Sequence, residues 1–449
     1  MNVRLTPFTY IRFFEEECLL FNPRTEAGCV VNHANAVLLQ LSSRCRDVDC
    51  MYEIAAQSLG VHVTEIRNDY ESVLVDLISA GLVECACDDE SIAPVKVSQK
   101  EFESIDDGNS IDYVNDFYKR HNLPSELHMD VTSYCNERCV HCYWPEHKHI
   151  NMPIELVHNI LREFRAMQGM TVYISGGECM THPQFEEICS SCKKKDLNII
   201  ILSNLTCCTD KRIDFLRNVN PQFINVSLYS MDEGVHDAIT QIKGSWRKTM
   251  DAFLKCEKAG IALRIASPLL SANKNSFNEL KKFADKHNVH LVPDINIFPK
   301  TNFDASNVKY TCSLEDITTT LMSNREVFRN VLLFGGGLSE SDRVCRIGSL
   351  RLYVNANGDY YPCDAMHGYV LGNARKDSMV DVWNSKKMCE LRNLRLSDMK
   401  KCQACSDRPY CLVCPAHNFD STGDITQPGT NKCSVAAITH HVYGGKGTC

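Results

Sequence analysis

From residue 127 the chain alternates short apolar runs with amphipathic stretches, six times over. The runs are LHMDVTS (127–133), TVYISG (171–176), NIIILSN (198–204), FINVSLY (223–229), IALRIAS (261–267) and HLVPDI (290–295). Between them lie PIELVHNILREFRAM (153–167), PQFEEICSSCKKK (183–195), KRIDFLRN (211–218), SWRKTMDAFLKCEKAG (245–260) and NSFNELKKFADKH (275–287), with helical stretches throughout. Such an alternation has few solutions: parallel strands, crossover helices, and a sheet that closes into a full or partial barrel. Chemistry in that arrangement belongs at the C-terminal ends of the strands.

The flanks follow other rules. FTYIRFF (8–14) and ECLLFNP (17–23) read as two short strands. VVNHANAVLLQLSSR (30–44), with Asn32 as N-cap, VDCMYEIAAQSLG (48–60) and VTEIRNDYESVLVDLISAG (63–81) read as helices, the last two stopped at Gly60 and Gly81. LVECAC (82–87) is a final strand, which makes the region winged-helix-like. Residues 88–122 are polar and acidic, a linker with a short helix near its end. From about 345, RLYVNANGDYYPC (351–363) is a hairpin around Asn357-Gly358, and cysteine-punctuated loops follow. The expected class is α/β: a partial (β/α)6 TIM barrel (123–335), an N-terminal winged-helix-like α+β domain (1–90), a linker (91–122) and a C-terminal cysteine-rich domain (336–449).

Composition says which chemistry such a frame carries. The net charge of -8 gives no general electrostatic reason to bind nucleic acid or an anionic membrane. No run of eighteen apolar residues exists, and Arg12, Glu15, Glu16 and Glu17 interrupt the N-terminal apolar stretch. A cytoplasmic protein is expected, without nucleic-acid or membrane partners. Its 25 cysteines in 449 residues then read as reduced thiols that bind metal.

Their placement is specific. Cys135-x3-Cys139-x2-Cys142 follows the first barrel strand. Three thiolates at this spacing can hold three irons of a [4Fe–4S] cluster and leave the fourth open, whereas zinc would want a fourth protein ligand. With YCNERCVHCYW (134–144), SGGE (175–178), SN (203–204) and SLY (227–229) at successive strand ends, the chain resembles the radical S-adenosylmethionine superfamily over about 126–300. The resemblance implies that S-adenosylmethionine chelates the open iron through its amino and carboxylate groups. It assigns Gly176, Gly177 and Glu178 to the methionine amino group, glycine allowing close approach and carboxylate pairing with ammonium. His141 would lie against the adenine, and Ser203 and Ser227 would contact the ribose or carboxylate. Arg264 is a candidate partner for the cofactor carboxylate, or a sheet-end ion-pair residue. PEHKH (145–149) reads as a solvated loop, and Cys207 and Cys208 as packing thiols.

Near the end stand Cys345, Cys363, then Cys402-x2-Cys405-x5-Cys411-x2-Cys414, then Cys433. This resembles the SPASM domain, which holds two further [4Fe–4S] clusters in such enzymes. The resemblance implies an interleaved set: Cys345, Cys363 and Cys414 for auxiliary cluster I, and Cys402, Cys405, Cys411 and Cys433 for auxiliary cluster II. FGGGLSESDRV (334–344) offers no cysteine, so auxiliary cluster I has an open iron, suited to a substrate thiolate, or Cys312 completes it.

The 1–90 layout resembles the RiPP recognition element, the leader-peptide-binding module of peptide-modifying enzymes, which would add the leader as a strand near FTYIRFF. Together the three resemblances imply a peptide maturase with three [4Fe–4S] clusters and S-adenosylmethionine, reduced by a flavodoxin- or ferredoxin-type donor. It would cleave S-adenosylmethionine to a 5′-deoxyadenosyl radical that abstracts hydrogen from a ribosomally made precursor. The first expected product is a thioether between a cysteine sulfur and a carbon, as in sactipeptide and ranthipeptide maturases. Alternatives are C–C or C–O crosslinking, epimerisation, formylglycine formation on a sulfatase, or a non-catalytic, zinc-stapled peptide-binding protein.

Overall fold

The computed structural model describes residues 3–15, 17–42, 48–85, 110–144, 148–333, 341–345, 347–366 and 368–444. The linker up to residue 109, the end of the strand read over 82–87, positions 145–147 of PEHKH and residues 334–340 lie outside them. The chain forms two compact units, one of Met1–Ser125 with Arg165–Met170 and Asp196–Asn198, the other of Glu126–Phe164, Thr171–Lys195 and Ile199–Cys449.

The first unit runs β1 (Val3–Leu5), β2 (Tyr10–Phe13), β3 (Cys18–Asn22), β4 (Ala27–Val31), α1 (His33–Ser42), α2 (Val48–Leu59), α3 (Val63–Ser79), β5 (Val83–Cys85) and α4 (Ser110–His121). β2, β3 and β4 form an antiparallel sheet with β3 central, and β1 pairs antiparallel with β5. Asn32 does cap α1: its side chain accepts the Asn35 N–H at 2.8 Å. Two strands differ from the reading. β1 has no counterpart among the expected strands, and β4 includes Val30 and Val31, where the spacing predicts the first helix. Both are short and exist through pairing with distant partners, which local periodicity does not report. Leu38, Leu39, Tyr52, Tyr70 and Leu74 form the centre of this unit's core.

The second unit continues with β6 (Glu126–Thr132), α5 (Ile154–Ala166), β7 (Thr171–Gly176), α6 (Phe185–Lys194), β8 (Asn198–Ser203), α7 (Asp210–Val219), β9 (Phe223–Ser227), α8 (Glu233–Thr240), α9 (Ser245–Lys258), β10 (Leu263–Pro268), α10 (Phe277–Lys286) and β11 (His290–Asp294). Then come α11 (Leu314–Ser323), α12 (Arg325–Leu332), β12 (Arg351–Val354), β13 (Asp359–Tyr361), β14 (Gly372–Asn373), α13 (Met379–Trp383), α14 (Lys386–Asn393), α15 (Lys400–Gln403), α16 (Pro415–Thr422) and α17 (Thr430–Tyr443). The sheet order is β11-β10-β9-β8-β7-β6-β12-β13-β14. Six parallel strands in sequence order make the expected partial barrel.

The helices form for legible reasons. α5 buries Ile154, Leu156, Val157, Ile160, Leu161 and Phe164 along one stripe, each contributing about 1.5–3 kcal/mol if fully buried. Thr209 caps α7 and Asp232 caps α8 through their side-chain oxygens. In β6, Leu127, Met129 and Val131 alternate with His128, Asp130 and Thr132, and both faces are buried. The hairpin read around Asn357-Gly358 is β12–β13, with Gly358 at φ 87°. β12 also pairs in parallel with β6, Tyr353 opposite His128, so the cysteine-rich segment extends the barrel sheet. The Tyr353 hydroxyl donates to Asp130 Oδ2 at 2.7 Å across this pairing.

Candidate active site

β6 ends at Thr132, and the chain then turns through the cysteine triplet. The strap after β7 lies directly on that turn: Gly177 N–H donates to Thr132 O and Glu178 N–H to Tyr134 O, both at 2.9 Å. A Cβ on Gly176, whose φ is 136°, would sit 2.2 Å from Thr132 O. One on Gly177 would sit 2.4 Å from Tyr134 O and 2.8 Å from Cys135 N. Both glycines are therefore needed for backbone to meet backbone. The close approach expected toward a cofactor is in the first instance an approach to the cysteine loop.

Cys135, Cys139, Cys142, His141, Gly176, Gly177, Glu178, Ser203 and Ser227 all line one cavity of about 200 Å³ at these strand ends. Residues up to 92 positions apart meet there because β6 to β9 are neighbours in the sheet. Glu178 is 1% exposed. Its Oε1 accepts from Ser203 Oγ at 2.8 Å and Met180 N at 3.0 Å, and its Oε2 from Asn204 N at 2.7 Å. Burial raises its pKa, and these hydrogen bonds counter the rise. Ser203 thus acts on Glu178 as well as facing the cavity.

Seven further residues line the cavity without a role assigned from the sequence, among them Glu137, Tyr229 and Asn204. Glu137, between the first two cysteines, is 2% exposed, and its Oε2 lies 3.6 Å from Cys139 Sγ. Burial and then the Glu178 charge push its carboxyl up to about 8. Tyr229, the last residue of SLY, brings its hydroxyl to 3.6 Å from Cys139 Sγ. Asn204, next to Ser203, donates its side-chain N–H to Asn136 Oδ1 at 3.0 Å. Each lies inside a motif quoted above, YCNERCVHCYW, SLY or SN, and that membership is the available signal. Outside the cavity, Asn307, on the segment after β11, donates to His141 O at 3.2 Å and Phe298 O at 2.9 Å, and so braces the end of the cysteine loop. It had no local signal.

The lining suits an iron–sulfur cluster with a polar cofactor beside it. Three thiols converge on it, and Glu137 Oε1 and His141 Nδ1 are buried there without a hydrogen-bond partner. Burial holds His141 down to about 4, a neutral ring at the cavity wall. Arg264 is the exception among the expected residues: it does not line this cavity. β10 begins at Leu263 rather than 261, so Arg264 stands near the strand's start, opposite Asn225, with its guanidinium 3.8 Å over the Phe223 ring. Ser227, at the cavity, is opposite Ala266, two residues further along.

The C-terminal cysteines gather in two groups. After burial, Asp364, Cys414 and Cys345 act to raise the Cys363 thiol. Cys433 and Cys405 do the same for Cys402, and Cys402, Cys433 and Cys405 for Cys411. Each of these thiols is thus within electrostatic reach of its group. Cys312 is buried elsewhere, with Asp316 and Lys274 as its charged neighbours. Among the described residues, no three His, Cys, Asp or Glu side chains converge closely enough for a single metal ion. No helix among them is long and apolar enough to cross a membrane.

A six-stranded partial barrel with a cysteine triplet after its first strand defines a class. The family model of the radical SAM superfamily matches residues 129–284, and that of the SPASM iron-sulfur cluster-binding domain matches 345–406. The chain is a radical S-adenosylmethionine enzyme with a SPASM domain, and these domains imply [4Fe–4S] clusters and S-adenosylmethionine. It is 21% identical over 338 residues to the AdoMet-dependent heme synthase of Methanosarcina barkeri, 68% of this chain and 95% of that one. It is 28% identical over 161 residues to the antilisterial bacteriocin subtilosin biosynthesis protein AlbA of Bacillus subtilis, 34% of this chain and 35% of AlbA. In fold it is similar to Streptococcus suis SuiB bound to precursor peptide SuiA, with a TM-score of 0.63, 16% identity, and 96% of this chain and 99% of that one covered.

Proposed function

We propose that this enzyme matures a ribosomally made precursor peptide, joining a cysteine sulfur to a carbon of another residue as a thioether. The observation that carries the peptide reading is the N-terminal unit: a small three-stranded sheet with an available edge, in a chain that also carries the radical site. Its β4 edge is more exposed than β2, which supports leader binding by strand addition there. The likeness to SuiB, described as bound to its precursor, and the partial match to AlbA, a bacteriocin biosynthesis protein, point the same way.

The bound cluster and S-adenosylmethionine supply a radical that removes hydrogen from an unactivated carbon. The chain's own part is to position and to exclude water. Cys135, Cys139 and Cys142 hold the cluster, while Gly176, Gly177, Glu178, Ser203, Ser227 and His141 shape the cofactor's bed. Cys345, Cys363 and Cys414 hold auxiliary cluster I, and Cys402, Cys405, Cys411 and Cys433 auxiliary cluster II. The separate placement of Cys312 supports an open position on auxiliary cluster I for a substrate thiolate. A flavodoxin- or ferredoxin-type protein supplies the electron.

Co-expression with a short cysteine-containing reading frame beside the gene tests this. The peptide should lose two hydrogens by mass, with one free thiol fewer on alkylation. Loss of two hydrogens with every thiol still alkylated would replace the thioether by a C–C or C–O crosslink. An unchanged mass with an inverted residue would replace it by epimerisation.

A further inference from the structure

Cys139 is the triplet member with two side chains beside its sulfur. Glu137 Oε2 lies 3.6 Å from Sγ, and the Tyr229 hydroxyl also lies 3.6 Å from it. A metal-bound thiolate has no hydrogen to give, so any hydrogen bond at this sulfur is donated to it: by the phenol, which carries its O–H throughout the neutral range, and by Glu137 when its carboxyl is protonated. The ring is held for that purpose from several sides. Tyr229 is 5% exposed and follows the end of β9. Its N–H donates to His236 Nδ1 at 3.3 Å, and its carbonyl accepts from Asn273 Nδ2 at 2.9 Å. Both partners are fully buried. The His236 ring stacks on it at 5.3 Å and 28°, and the His141 ring meets it edge-on at 5.0 Å and 78°. The phenol oxygen is thereby fixed at the Cys139 sulfur.

We propose that Tyr229 is a positioning residue for the triplet's cluster, donating a hydrogen bond to the Cys139 sulfur and raising that cluster's reduction potential. Reduction adds negative charge to the cluster and its sulfurs, and a donor stabilises the reduced form more than the oxidised one. Glu137 acts on the same sulfur, and it is present in every variant below. The inference rests on the assignment of Cys135, Cys139 and Cys142 as cluster ligands.

The test is an anaerobic redox titration of the full-length holoenzyme followed by electron paramagnetic resonance, with iron counted in each sample. The relevant signal is the component that Cys142→Ala removes. If Cys142→Ala removes no component, the ligand assignment fails, independently of Tyr229. In Tyr229→Phe, which keeps the ring, the iron content should hold. At the wild-type midpoint potential the ratio of reduced to oxidised cluster should fall about tenfold, equivalent to about 59 mV for one electron. An unchanged midpoint in iron-replete Tyr229→Phe overturns the proposal. If that variant loses its iron, 3-fluorotyrosine labelling of the otherwise wild-type chain decides: the more acidic phenol is the stronger donor, so an upward shift supports the hydrogen bond to Cys139 and no shift overturns it.

Discussion

Gly177 shows how much one missing side chain decides. Its absent Cβ lets the β7 strap close on the cysteine loop at distances no alanine tolerates, 2.4 Å to Tyr134 O and 2.8 Å to Cys135 N. The neighbours are backbone atoms, so they cannot rotate away. Gly177→Ala should therefore unseat the loop and cost about a third of the iron, about four of twelve atoms if all three clusters are full. An iron assay with sulfide quantification reads this, and a variant with wild-type iron would show that the strap can shift without disturbing the loop. Glu178 carries a related lesson. Its place after two glycines was legible, but its hydrogen bonds to Ser203 and Asn204 were not, because those residues lie 25 and 26 positions away.

At the scale of elements, α8 packs its buried His236 against Tyr229, two residues beyond the end of β9. Burial holds His236 down to about 4, against about 6.5 in an unfolded chain. The neutral ring accepts the Tyr229 N–H. The unfolded chain therefore binds the extra proton first as the medium is acidified. The stability tied to this histidine is full above about pH 6.5 and declines as pH falls toward 4. Between pH 7 and 5 the loss should be about 2 kcal/mol. His236→Gln should show a correspondingly flatter pH dependence in urea unfolding over that range. Equal slopes for the two proteins would mean that the ring is already charged in the fold. The barrel strands and their helices were readable because each carries its own periodicity. β1 and β4 were not, since three to five residues bear too little pattern without their partners. Arg264 lies on the fifth barrel strand as expected, but near its start, and does not line the cavity.

Across the whole molecule, stability is unevenly supplied. The barrel has continuous buried strands, whereas the cysteine-rich segment has small apolar clusters. One is Val344, Leu394, Leu396, Met399 and Val413, flanked by Cys345, Cys402 and Cys411. Another is Ile347, Met366, Leu391 and Ala416, flanked by Cys345, Cys363 and Cys414. Cores of this size need reinforcement, which metal–thiolate bonds provide. Stripping iron with a chelator should make residues 341–444 the first region cut by trypsin, with the barrel persisting as a resistant fragment. Identical fragment patterns with and without iron would show that the segment stands on its own packing and on the β12–β6 pairing.

The amino-acid sequence alone determined the alternation that makes a partial barrel, the triplet after its first strand and the strand-end positions that line the cavity. These are local patterns: spacing within one loop, periodicity within one element, place at a strand end. Only the tertiary structure decided which distant side chains share a sulfur, that Tyr229 and Glu137 flank Cys139, that Arg264 stands aside, and that β12 joins the barrel sheet. Such meetings depend on strand order and register. Side chains about ninety residues apart become neighbours only when the intervening chain has folded into parallel strands, and no local spacing records that.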